Sequence, residues 1–363
     1  MRSLVLITGA SGFVGTHAIK FALAHREKYD FVLATDVRKL SYPYDLPGED
    51  RFRFVEADFT KSESMSTLMD VVKSLDAKNI WVWHIGGLFN YTAQFPALYR
   101  VNVEGTDNLI RACREKLAFR IQRLIFWSGG VVYGDFNAPG ASLPADESYP
   151  VDPQNPYGLS KMLAEKNLLS FHRDCGFPVT IMRNGAIYGE WSKYGMANAY
   201  MLNYRGYLAP LLVGDGTDHA ALIYAGDAIR VADFLGSVPE SNGEIYNVVD
   251  SCATMDAVSS FIGEQFNNKP WQKFHLPKFV LRTIVRGVVK DNKILGGYPV
   301  IDPGLGDMTL LNSWVSNKKL MALAEKHGVR DTLLEYPNGI DGLRHTIAWF
   351  KAQHAAHPEE GWL

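Results

Sequence analysis

"LVLITGASGFVG", residues 4–15, decides the fold. Leu4 to Ile7 is an apolar run of strand length, and it stops at Thr8. Gly9, Gly12 and Gly15 follow, and then the helical stretch Thr16–Ala24. Glycines at such a turn let the chain bend tightly and let its backbone approach a pyrophosphate, while free amides at the helix start face the phosphates. The spacing is G-x-x-G-x-x-G, and what carries the reading is its place between strand and helix. The turn therefore predicts a dinucleotide site on a parallel sheet.

A second strand, Phe31–Thr35, runs into Asp36, 21 positions after Gly15. A carboxylate there accepts hydrogen bonds from the adenosine ribose hydroxyls and repels a 2′-phosphate, which favours NAD over NADP. Arg38 lies close enough to soften that preference. Asp58, after the third strand Phe52–Glu56, either receives the adenine amino group or caps the next helix.

Strands and helices alternate from there. Helices are expected at Ser64–Ser74, Val103–Glu115 and Tyr157–His172, and strands at Ile80–Ile85, Arg123–Trp127 and Val179–Arg183. This order implies an α/β protein with a doubly wound parallel sheet, helices covering both faces. After about residue 185 the alternation loosens and Gly, Pro and aromatic residues increase. Two domains are expected, 1–185 for the cofactor and 186–363 mainly for the substrate, with segments crossing back to the sheet.

With 363 residues the chain is long enough for a large core. A formal net charge of −2 gives no general attraction for nucleic acid. Cys113, Cys175 and Cys252 stand far apart and read as buried, reduced thiols of a cytoplasmic protein. No uncharged apolar run is long enough to span a bilayer. No metal-ligand cluster stands out.

Tyr157 and Lys161, in "NPYGLSK", sit one helical turn apart and share a face. A tyrosine normally ionises near pH 10, about three units above neutrality. A nearby ammonium and an oxidised nicotinamide both favour the phenolate, which can then take a proton from a substrate hydroxyl as hydride leaves. Together with TGxxGxxG, this YxxxK pair resembles the extended short-chain dehydrogenase/reductase family, which includes epimerase/dehydratase and 3-beta-hydroxysteroid dehydrogenase-like members. "VWHIGG" (82–87), "NVEGT" (102–106), "VVYGD" (131–135), "DESYPVDPQNPYGLSK" (146–161) and "GDGTDHAALIYAGDAI" (214–229) continue the likeness. The resemblance implies a Rossmann cofactor domain, NAD, a small-molecule substrate and a homodimer formed through the helices of Val103 and Tyr157. It implies Tyr157 as acid/base and Lys161 as its electrostatic partner, which also holds the nicotinamide ribose. The expected cofactor contacts are Gly9, Ser11, Gly12, Phe13, Val14, Gly15, Asp36, Asp58, Phe59 and Gly86, with Tyr157 and Lys161.

"IFWSGGVVYGD" (125–135) departs from the family pattern. Members usually carry two small hydroxyl residues there, and the second touches the substrate oxygen. That second position is Gly129, and Ser128 is the first. Three readings stand: Ser128 serves as substrate polariser after a small backbone shift, another group or a water does so, or catalysis is lost and an NAD-binding module remains.

Two further positions bear on substrate. Nucleotide-sugar enzymes of the family commonly carry an asparagine and an arginine where this chain has Ala186 and Ala220. A diphosphate without its arginine lacks a bidentate contact. These losses favour a secondary alcohol/ketone pair on a moderately large apolar substrate over the alternative, a nucleotide-sugar epimerase or dehydratase with tightly held NAD. Asn184, Arg205 and His219 are the neighbours able to compensate. Phe89, Tyr91 and Phe95, with Trp191, Tyr194, Tyr200, Tyr204 and Tyr207, suit a cyclic substrate or serve as core. Lys278, Arg282, Arg286 and Lys290 recur every fourth residue among apolar neighbours. This 278–290 stretch reads either as a helix packed on the substrate domain or as a peripheral membrane contact.

Overall fold

A computed structural model describes residues 2–40, 46, 50–91, 93–136, 140, 142–193, 195–204, 211–213, 216–250, 252–267, 274–277, 280 and 312–356. Strands are β1 (Ser3–Thr8), β2 (Phe31–Asp36), β3 (Phe52–Glu56), β4 (Asn79–His84), β5 (Ile121–Gly129), β6 (Val179–Asn184), β7 (Ala186–Tyr188), β8 (Leu211–Val213), β9 (His219–Tyr224), β10 (Ile245–Val248), β11 (Cys252–Thr254) and β12 (Phe274–Leu276). Helices are α1 (Phe13–Ala24), α2 (Ser62–Ser74), α3 (Phe95–Leu98), α4 (Gly105–Leu117), α5 (Pro156–Cys175), α6 (Met196–Tyr204), α7 (Ala225–Ser237) and α8 (Met255–Asn267). Three more close the described chain: α9 (Lys318–Lys326), α10 (Arg330–Leu333) and α11 (Gly339–Ala356).

Seven strands form one sheet in the order β10-β6-β5-β4-β1-β2-β3, every pair parallel. β1 is buried on both faces, which is why it reads as an unbroken apolar run. Its alternation divides two cores. Val5 and Ile7 join α1 and α7, whereas Leu4 and Leu6 join α2, α4 and α5. Each such side chain contributes about 1.5–3 kcal/mol on burial. Residues beyond 185 thus complete the sheet: α7 covers one face and β10 forms an edge. A smaller sheet, β11-β9-β7, holds a third core of Tyr188, Tyr200, Leu222, Phe261, Leu343 and Ile347.

α5 is delimited by its own sequence. Asn155 accepts a hydrogen bond from the Gly158 amide at 2.8 Å, Pro156 opens the first turn, and Gly176 stops the helix at φ 66°. At β10 two outward backbone groups are occupied: Glu147 accepts from the Asn247 amide at 2.7 Å, and Lys319 donates to the Ile245 carbonyl at 2.8 Å.

Two expectations change. The helix expected from Val103 begins earlier, with α3 and then a six-residue π-helical turn, Tyr99–Glu104, ahead of α4. Cys175 is exposed rather than buried, because it ends α5 where the helix meets solvent; Cys113 is buried and Cys252 half-buried. The 278–290 stretch, Val280 apart, lies outside the described residues, as do Tyr194, Arg205 and Tyr207. No helix among the described residues is long and apolar enough to cross a membrane.

Candidate active site

The glycine turn is fixed by close approaches. Gly9 has φ 68°, and a Cβ on it would lie 2.7 Å from the Gly86 Cα at the end of β4. A Cβ on Gly15 would lie 2.3 Å from the Gly9 carbonyl. At Gly12 the nearest neighbour of an added Cβ is that same carbonyl, at 3.3 Å, so the crest of the turn is bare backbone. Phe13 and Val14 turn into the core and leave only their backbone to a ligand. Asp36 is built into this turn: one carboxylate oxygen accepts from the Ser11 amide and the other from the Arg38 amide, both at 3.0 Å. The Arg38 guanidinium stands 3.5 Å from the same carboxylate. The Ser11 hydroxyl donates to the carbonyls of Arg38 and Lys39. Bare glycine backbone at a helix start, beside a carboxylate closing the next strand, fits a dinucleotide with a free ribose diol.

Phe59 props the floor of this cradle. Its ring packs edge-on to His84, and a Cβ on Gly86 would meet it at 3.1 Å. Asp58 accepts from the amide and hydroxyl of Thr60, at 2.9 and 2.7 Å, and pairs with Lys61. Burial raises its carboxyl, but Thr60 and Lys61 outweigh that and hold it below the usual range. The arrangement is a turn ahead of α2, whose N-cap is Lys61, so Asp58 is not the helix cap that the sequence offered as one alternative.

Under the floor runs a buried polar thread that the sequence reading did not single out. His84 joins Thr8 at 2.8 Å to Thr106 at 2.9 Å, and the Thr8 hydroxyl accepts from the Gly86 amide. Burial, aided by the Lys161 charge, lowers His84 to about 3 and keeps it neutral. Asn102, in the π-helical turn, donates to Ser160 on α5 and to the Leu88 carbonyl, and accepts from the Leu88 amide. Its signal was the NVEGT stretch, in a turn type that concentrates at functional sites.

Tyr157 and Lys161 project from α5 at the carboxyl end of the sheet. The Tyr157 ring sits 5.3 Å from both Phe89 and Tyr91, edge-on to each. The Lys161 ammonium donates to the Trp127 carbonyl at 2.8 Å, lies 4.8 Å from the Phe126 ring centroid and 6.0 Å from that of Tyr157. Burial pulls it down to about 8, against the opposing charge of Glu165.

Ser128 is placed otherwise than a substrate polariser requires. Its hydroxyl donates to Glu165 on α5, the same carboxylate that Arg183 grips with Nε and Nη2. All three residues are buried. In register Ser128 pairs with Arg183 and Gly129 with Asn184, so alternation turns position 129 to the other face of the sheet. A Cβ on Gly129 would meet nothing closer than 3.6 Å.

Ala186 is exposed at the start of β7, and Ala220 is half-buried in β9. Of their candidate substitutes, Asn184 is buried and donates to the Ser128 carbonyl, and His219 stacks on Trp314 at 4.3 Å. Trp191 packs on His17 and Trp349, and Tyr200 is core. No three His, Cys, Asp or Glu side chains among the described residues converge to hold a metal.

The model of the NAD dependent epimerase/dehydratase family matches residues 5–248. An N-acetyl-alpha-D-glucosaminyl-diphospho-ditrans,octacis-undecaprenol 4-epimerase of Escherichia coli O157:H7 is 28% identical over 280 residues, 76% of each chain. Human dTDP-D-glucose 4,6-dehydratase is 27% identical over 255 residues, 67% of this chain and 68% of that one. The UDP-glucose 4-epimerase of Thermotoga maritima, solved with UDP-glucose, superposes with a TM-score of 0.70 over 96% of this chain and 99% of its own, at 17% identity, a likeness of fold. The matched span holds the glycine turn, Asp36 and the Tyr157–Lys161 pair together, and the chain belongs to the NAD dependent epimerase/dehydratase family, among the extended short-chain dehydrogenases/reductases.

Proposed function

We propose that this enzyme is an epimerase of sugars carried on a diphosphate. It oxidises a secondary hydroxyl of the sugar to a ketone and reduces it again from the opposite face. The observation that carries this is the Tyr157–Lys161 pair at the end of β5, in a chain whose family match spans pair and cofactor turn alike. NAD, when bound, supplies the hydride acceptor and returns the hydride. Gly9, Gly12 and Gly15 would cradle its pyrophosphate, Asp36 its ribose, and Gly86 and Phe59 the floor beneath it.

Lys161 stabilises the Tyr157 phenolate, which takes the proton of the sugar hydroxyl and gives it back in the reverse step. Phe89 and Tyr91 fence that hydroxyl from water and offer faces to a sugar ring. Ser128 belongs to the anchor of α5, and at Gly129 the substrate oxygen meets bare backbone. Loss of water from a keto sugar needs a further acid/base. Residues 129–131 are Gly-Gly-Val, and Glu165 is occupied by Ser128 and Arg183, which favours epimerisation over dehydration.

Ala186 and Ala220 support a second reading of the carrier, a polyprenyl diphosphate in place of a nucleotide. Such a carrier fits the apolar substrate expected from the sequence and the name of the Escherichia coli relative. Two copies would pair through the faces of α4 and α5.

The test begins with nicotinamide released on denaturing the purified protein. Stoichiometric NAD is expected, with NMR showing epimers of UDP-glucose, UDP-N-acetylglucosamine or their undecaprenyl-diphosphate counterparts. A protein that arrives empty and oxidises simple secondary alcohols with free NAD overturns the epimerase reading.

A further inference from the structure

Tyr157, Lys161 and Glu165 follow one another at four-residue intervals on α5, so the three share a stripe of the helix. Glu165 is 3% exposed. A carboxylate so buried is costly unless bonded, and this one takes the Ser128 hydroxyl from β5 and two nitrogens of Arg183 from β6, at 3.1 and 2.7 Å. One turn earlier, Lys161 donates to the carbonyl of Trp127, the residue before Ser128. Two adjacent residues of β5 are thus tied to two successive turns of α5.

The surroundings of Lys161 show what its charge depends on. β5 offers the Trp127 carbonyl and the Phe126 ring. From β4 comes His84, which stays neutral. The loop after β4 brings Gly87, where an added Cβ would lie 3.4 Å from the ammonium and 3.0 Å from the Asn102 carboxamide oxygen. α5 itself supplies Tyr157 and Glu165, and β6 supplies Arg183, held by Glu165. Among these, the carboxylate acting on the ammonium is that of Glu165.

We propose that Glu165 is a positioning residue: it anchors α5 to the ends of β5 and β6 through Ser128 and Arg183, and its charge keeps the buried ammonium of Lys161 protonated beside Tyr157. The consequence for catalysis rests on the acid/base role given to Tyr157 above; the anchoring and the charge do not.

The test is the titration of Lys161 itself. Protein carrying 13C-labelled lysine, with Lys161 assigned by Lys161→Arg, is followed by NMR from pH 6 upward without substrate. Glu165→Gln is expected to lower the Lys161 midpoint by at least about one pH unit, tenfold in the protonation ratio, and Glu165→Asp to restore most of it. Arg183 left alone in the core can unfold Glu165→Gln. The double variant Glu165→Leu/Arg183→Leu removes both charges together and is expected to lower the midpoint as well. A midpoint that stays put in the folded variants overturns the proposal. With a sugar diphosphate that the wild type turns over, the acidic limb of kcat/KM is expected to move with the midpoint. A wild type inactive on every sugar tested defeats the proposed function and leaves the Lys161 titration still decisive for Glu165.

Discussion

Ser128 gives its hydroxyl to Glu165 across the gap between β5 and α5, so the serine that motif reasoning offers to the substrate is spent inside the protein. A hydrogen bond to a buried charge is worth about 1.5–3 kcal/mol. Ser128→Ala is therefore expected to lower unfolding free energy by about that amount while turnover falls less than tenfold. Urea titration and kcat on the same preparation check this. A larger loss of turnover at unchanged stability would put the hydroxyl back on the substrate.

Gly129 is the complementary case. Its φ of −152° is open to any residue, and an added Cβ meets only ordinary contacts from 3.6 Å outward. Gly129→Ser should fold with stability within about 0.5 kcal/mol of wild type. A serine there restores the second small hydroxyl of the family pattern, and turnover is expected to rise severalfold. A drop in turnover would show that this chain has rebuilt the site around the glycine.

Asp36 tests cofactor choice. Asp36→Ala removes the acceptor proposed for the ribose hydroxyls and releases Arg38, now 3.5 Å from it. NAD binding is expected to weaken at least about tenfold, and NADP binding to strengthen as the guanidinium turns to the 2′-phosphate. Calorimetry with both nucleotides on cofactor-stripped protein reads this directly. Unchanged preference would mean that the ribose lies elsewhere.

His17 and His84 predict how stability follows pH. Burial lowers His17 to about 4, outweighing Glu190, and His84 to about 3. Both lie below the unfolded value near 6.5, so the unfolded chain binds more protons as pH falls. The stability these neutral rings allow is complete above about pH 6.5 and is lost as pH drops toward 4. Between pH 6 and 5 each contributes a slope of up to about 1.4 kcal/mol per pH unit. His84→Gln should flatten that slope by about one proton in urea titrations across the window. An unchanged slope would mean that His84 takes its proton inside the fold.

Much of the first half was legible. β3 begins and ends where the sequence placed it, and β1, β2, β4 and β6 differ by a residue or so, because buried parallel strands are short apolar runs between turn residues. The Tyr157 helix was legible as Tyr157–His172, and α5 extends it to Pro156 at one end and Cys175 at the other. The π-helical turn at 99–104 was not, since Asn102 leaves no periodic mark and its bonds run to Leu88 and Ser160. Nor was the role of Ser128, which depends on Glu165, 37 positions away. β10 was hidden for a similar reason: four residues gain their meaning only by pairing with β6.

The bonds made by Glu147 and Lys319 along β10 bear on the open margin of the sheet. An unguarded rim of a parallel sheet is a template for a foreign strand, and this rim has one amide, that of Asn247, and one carbonyl, that of Ile245, taken by charged side chains. Strand-by-strand growth from β10 would first have to evict both. Loosening the 312–319 segment, which brings Lys319, would bare the Ile245 carbonyl while β10 stays paired to β6.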